Sequence, residues 1–284
     1  MDRVFAHART RYVIPMIVVG AMIPFIIIAP ILPRWRQAGE SSVEFVVLMV
    51  ASYVSIFVVL WVIWCSQMRL SDLFGPMPDA RDSKTLLALG IPMVGVAVLS
   101  VYLVFFPLLF IAPEFVNWWI SNVARGELLV SLETPNAIII NLGNTILSVL
   151  AAPIVEELIF RGFLFGRWYA KYGILVAISL SSLLFAILHA DILGAVIFSI
   201  FLCLIRIKYN SLLAPILVHI GNNAVLVGLT AVEIFFFGVE YEYTVQEFRS
   251  SWWVAPIGAF IGIPWLYRYY QAEIAIESRT QNVA

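Results

Sequence analysis

The chain has 284 residues, of which 62% are hydrophobic and only 12% charged, a composition unlike that of a soluble domain, where charged residues make up about 25%. Its net charge of −1, with no basic tract or low-complexity tail, offers a nucleic acid nothing to bind. The predicted class is therefore all-α, a polytopic membrane protein forming one integral membrane domain over residues 1–284 and embedded in the lipid bilayer.

Eight spans are predicted, near 12–32, 43–65, 86–111, 136–160, 173–190, 192–207, 211–237 and 252–270. The first follows the basic stretch MDRVFAHARTR; it is longer than a signal-peptide core and has no small-residue cleavage site, so it reads as a retained span. Cys65 and Cys203 each fall in an apolar span and read as packing residues. Residues 113–134 are mixed, with Trp118, Trp119 and Arg125, and suit an interfacial helix. The spans at 173–190 and 192–207 are short for a hydrocarbon core of about 30 Å. Their shared turn, His189-Ala190-Asp191, is expected to be sunken within the protein, where it is tolerated if it lines a polar cavity. Eight spans put both termini on one side, which receives 13 Lys and Arg against 4 on the other. The positive-inside rule then makes both termini cytoplasmic.

The chemistry-bearing residues fall in a core of about 136–237. The fourth span carries Glu156, Glu157 and Arg161 in an otherwise apolar run. Glu157 and Arg161 are four residues apart, one helical turn, and are expected to form an internal ion pair. Glu156 points about 100° away from Glu157 and lacks that local partner. Pro153 removes a backbone donor and its ring meets the carbonyl of Val149, so a kink is expected just before Glu156. His189 ends the next span; it and Glu156 lie equally far from the turn at Tyr172-Gly173, hence at matching depth in a helical hairpin. His219 and Asn223, four apart, share one face of the seventh span. His7 belongs to the N-terminal tail, and Asn141, Asn144 and Asn222 read as packing residues.

Glu156, His189, His219 and Asn223 thus form a candidate site drawn from three helices. A carboxylate withdrawn from water beside an imidazole can act as general base. Water is the expected nucleophile, because no Ser, Thr or Cys is visibly activated; Ser181 and Ser182, two turns before His189, are the weak candidates. A histidine and an asparagine one turn apart suit an oxyanion in a dry cavity. Amide hydrolysis is the reaction class that fits. Glu156, His189 and His219 are also an acceptable zinc set, although neither HExxH spacing nor a cysteine ligand is present; no cofactor is favoured, with zinc the alternative.

Glu156-Glu157-x-x-x-Arg161, then Phe185-x-x-x-His189, then His219-x-x-x-Asn223 resembles the three-motif signature of the CPBP family, the CAAX-protease, bacteriocin-processing and abortive-infection group that includes the type II CAAX prenyl endopeptidases. The motifs cover residues 150–225. The resemblance implies an intramembrane glutamate-dependent endopeptidase, in which Glu156 and His189 activate water, His219 and Asn223 hold the oxyanion, and Glu157 and Arg161 support the site. It implies a peptide or lipidated protein as substrate, prenylated in the CAAX branch. Two rival readings remain at this level: a proton-coupled transporter, since membrane Glu/His chains also relay protons, and a non-catalytic scaffold or immunity protein.

Overall fold

A computed structural model describes residues 50–51, 54–58, 61, 74–124, 129, 137–238 and 243–281. The span predicted at 12–32, most of that at 43–65 with Cys65, and the tail residue His7 lie outside the described residues. The secondary structure that is described is helical throughout.

Helix α1, Ala80–Ile111, starts where the Asp79 carboxylate accepts the N–H of Asp82 at 2.7 Å. The predicted span began later, at 86, because the first turns carry Arg81, Asp82 and Lys84. Pro113 then opens α2, Pro113–Trp119, at a position where a missing N–H costs nothing, and one widened turn, Ile120–Ala124, extends it. These are the described part of the predicted interfacial stretch. Helix α3, Ala137–Tyr172, is 36 residues long and stops at Gly173, whose φ of +84° suits glycine. The predicted end at 160 fell short because the last turns are amphipathic. Helices α4, Ile174–Ile187, and α5, Ile192–Tyr209, follow, then α6, Leu213–Phe237. A capping box formed by Thr244 and Glu247 starts the short α7, Val245–Ser250, and α8, Val254–Gln281, closes the described chain.

Four of these helices, α1, α3, α5 and α6, are long and apolar enough to cross a membrane. Helix α4 is apolar but has only 14 residues. Helix α8 overlaps the predicted eighth span but turns polar beyond Leu266 with Arg268 and Gln271. The chain is thus an integral membrane protein. Two cations counted above on the cytoplasmic side, Arg161 and Arg206, are buried inside the helices; taking those two out of the thirteen leaves eleven against four.

The main core joins α3, α4, α5 and α6 to the start of α1, around Leu86, Leu164, Phe165, Phe185, Leu202 and Leu212, all at most 1% exposed. Helix α6 meets α1 so closely at Gly221 that a side chain there would overlap the Leu87 carbonyl oxygen. That approach fixes the stretch of α6 carrying His219 and Asn223. A second, smaller core joins α1, α2 and α7 through Phe105, Val116, Trp119, Ile120 and Phe248.

Candidate active site

Helix α3 brings its charged residues to the interior between two widened segments, Leu147–Ala151 and Leu158–Leu164, in which the backbone bonds five residues back: Ala152 N–H to Leu147 O, and Phe165 N–H to Phe160 O. In that register the carbonyl facing residue 153 is that of Ser148, and Pro153 has no N–H to offer it. Asn223 of α6 fills the gap, its Nδ2 donating to Ser148 O at 2.8 Å. The Ser148 carbonyl is thus left over by that register, one residue before the Val149 carbonyl that an ordinary helical register sets against Pro153. The Asn222 amide in turn donates to Asn223 Oδ1 at 3.2 Å.

Glu157 is fully buried, and one of its oxygens, Oε1, accepts from two directions: Arg161 Nη1 at 2.8 Å and His219 Nδ1 at 2.9 Å. Arg161 Nη2 also donates to Ser199 Oγ on α5 at 2.7 Å, and its guanidinium lies 4.4 Å from the centroid of the Phe185 ring. Ser199 went unnoticed in the sequence; a single hydroxyl in the apolar run IFSIF is the signal that marks it. The same Phe185 ring stacks on His189 at 4.2 Å, and Phe198 meets His219 edge-on at 5.1 Å. Both imidazoles are thus held by aromatic walls.

The tautomers follow from the hydrogen bonds. His189 Nδ1–H donates to Phe185 O at 2.8 Å, and His219 Nδ1–H to Glu157. In the neutral rings, each Nε2 is then left as a bare lone pair. Both face Glu156: Oε2 lies 3.9 Å from His189 Nε2 and 3.8 Å from His219 Nε2. These distances are too long for direct hydrogen bonds and suit a small bridging donor such as water. Glu156 Oε2 is itself buried and has no hydrogen-bond partner in the protein, although the side chain as a whole is 31% exposed. The structure therefore brings Glu156, His189 and His219 to one point, with Glu157 and Arg161 behind His219. Asn223 lies one turn along α6 from His219, and of its amide hydrogens one is committed to Ser148. Ser181 donates to Phe160 O at 3.1 Å, inside a widened segment, which gives it a structural partner.

The donor types of Glu156, His189 and His219 suit zinc. Their separations are wider than the roughly 3.3 Å between ligands of a tetrahedral zinc ion at about 2.0–2.1 Å, and no group of three or more His, Cys, Asp and Glu among the described residues meets the geometry of a metal site.

No curated protein and no solved structure matches the chain. The family model described as type II CAAX prenyl endopeptidase Rce1-like matches residues 138–225, which run from the start of α3 to just past Asn223 and contain Glu156, His189 and His219. Through those residues, about a third of the chain, the protein is similar to the Rce1-like type II CAAX prenyl endopeptidases.

Proposed function

We propose that the protein is an intramembrane endopeptidase that hydrolyses membrane-associated peptides or proteins of the lipidated CAAX type, with water activated by Glu156. The observation that carries this reading is the convergence of Glu156 Oε2 with the two bare Nε2 atoms at 3.8 and 3.9 Å. A water between them gives one proton to Glu156 as its oxygen attacks the scissile carbonyl, while His189 Nε2 accepts a hydrogen bond from its other hydrogen. The carbonyl π pair moves onto oxygen. That oxyanion takes the free Nδ2 hydrogen of Asn223 and a hydrogen bond from His219, whose Nε2, bare in the resting site, first takes a proton from solvent. Glu157 supplies the counter-charge for that imidazolium. Collapse of the intermediate breaks the C–N bond, and Glu156 returns its proton to the leaving amine. Glu157 and Arg161 support His219 without touching substrate. The three groups lie in a polar cavity below the headgroup level, no metal takes part, and both termini are cytoplasmic, the last resting on the cation count of eleven against four.

The test is cleavage of internally quenched CAAX-type peptides, farnesylated and unmodified, by the full chain in proteoliposomes. Wild type should cleave the farnesylated peptide; Glu156→Gln and His189→Ala should insert and fold but lose cleavage by at least about 10³-fold, within the range expected of a general base. Cleavage retained in either variant sinks the assignment. An inactive wild type that still supports a biological role shared by both variants would favour the scaffold.

A further inference from the structure

The turn that carries His189 is held from outside by residues that precede the family-matched stretch. It links α4 to α5 through Leu188-His189-Ala190-Asp191, and its outer side is open, with Leu188 66% exposed. The imidazole is bonded to its own helix, so where Nε2 points depends on the path of this short backbone segment. Three bonds fix that path. Trp119 Nε1–H donates to Ala190 O at 3.1 Å. Ser100 Oγ–H, its one hydrogen shared with Ala97 O at 2.8 Å, donates to Asp191 Oδ2, and the other oxygen of Asp191 accepts Gly194 N–H at 3.1 Å, capping α5.

Both outside donors are themselves immobilised. Ser100 is 1% exposed, on the face of α1 turned to α5. Trp119 is 7% exposed, and its indole stacks on Phe105 at 3.7 Å within the small core of α1, α2 and α7. An indole has one donor, and here it is spent on the carbonyl next to His189. We infer that Trp119 and Ser100 are positioning residues for His189, aiming its Nε2 at Glu156 through Ala190 and Asp191. The inference rests on the reading of Glu156 and His189 given above.

Trp119→Phe removes the donor and keeps a ring against Phe105. It should lower kcat on the farnesylated peptide by about 10- to 100-fold, the loss that accompanies a misplacement of about 1 Å, with KM little changed. Asp191→Ala should do the same, whereas Asp191→Asn, which keeps groups for both Gly194 and Ser100, should stay near wild type. The chain has only three histidines, so ring ¹⁵N spectra of histidine-labelled protein resolve His189. Its signals should move in Trp119→Phe and Asp191→Ala, and those of His219 should not. A fall in thermal midpoint with unmoved His189 signals and an unchanged kcat overturns the inference, and leaves the protease reading intact if Glu156→Gln is inactive. If wild type cleaves no peptide, the protease reading falls, and the ¹⁵N spectra alone decide whether the two residues position the ring.

Discussion

Glu157 and His219, 62 residues apart in sequence, share a hydrogen bond of 2.9 Å on the same carboxylate oxygen that takes the Arg161 guanidinium. One buried anion thereby joins a cation on its own helix to an imidazole on another, and the whole unit is shielded from solvent: Glu157 is 0%, Arg161 1% and His219 3% exposed.

That arrangement makes Glu157→Gln costly. The variant leaves a buried guanidinium without its counter-charge, and removal of one member of a buried pair costs about 3–5 kcal/mol. The thermal midpoint in detergent should fall accordingly, and peptide cleavage should fall with it because His219 loses its tether. An unchanged midpoint would show that the charge is compensated elsewhere.

Asn223 has two separable tasks, and a second-site change can separate them. Asn223→Ala should lose stability by about 1–3 kcal/mol through the orphaned Ser148 carbonyl, and also lose cleavage. Adding Pro153→Ala restores a backbone N–H at residue 153 and should recover the thermal midpoint but not the cleavage. Recovery of both would assign Asn223 a packing role alone.

Gly221→Ala tests the close crossing of α6 over α1. The added methyl overlaps Leu87 O, and such overpacking costs about 1–3 kcal/mol. Because His219 and Asn223 flank that position, cleavage should drop more than the loss of folded protein explains. Wild-type behaviour in both measurements would mean that the helices separate without disturbing the site.

Chelator-washed protein should retain cleavage and contain no stoichiometric zinc. Stoichiometric zinc whose removal abolishes cleavage, and whose return restores it, transfers the chemistry to a metal held by Glu156, His189 and His219.

Much of this was legible in the sequence, and the gaps have physical causes. The pairing of Glu157 with Arg161 follows from a spacing of one helical turn. The tie of Glu157 to His219 does not, since which ring nitrogen meets which carboxylate is decided by how α6 packs on α3. Pro153 announced a disturbance, but locating it at Ser148 needed the five-residue register, which composition does not encode. Helix ends were misplaced where amphipathic turns continue an apolar helix, as at 80–85 and 161–172. Ser100, Trp119 and Ser199 act through contacts 38 to 91 residues distant in sequence, and no local pattern carries such information.

The brevity of α4 has a consequence for the surrounding lipid. Fourteen residues reach about 21 Å, some 9 Å less than the hydrocarbon thickness of an average bilayer. Its outward face is nonetheless greasy, with Leu175 77% and Ile187 69% exposed. If the bilayer meets both ends of α4, the acyl chains beside it compress or tilt by that difference, and the aqueous boundary then lies nearer His189 than an average leaflet would place it.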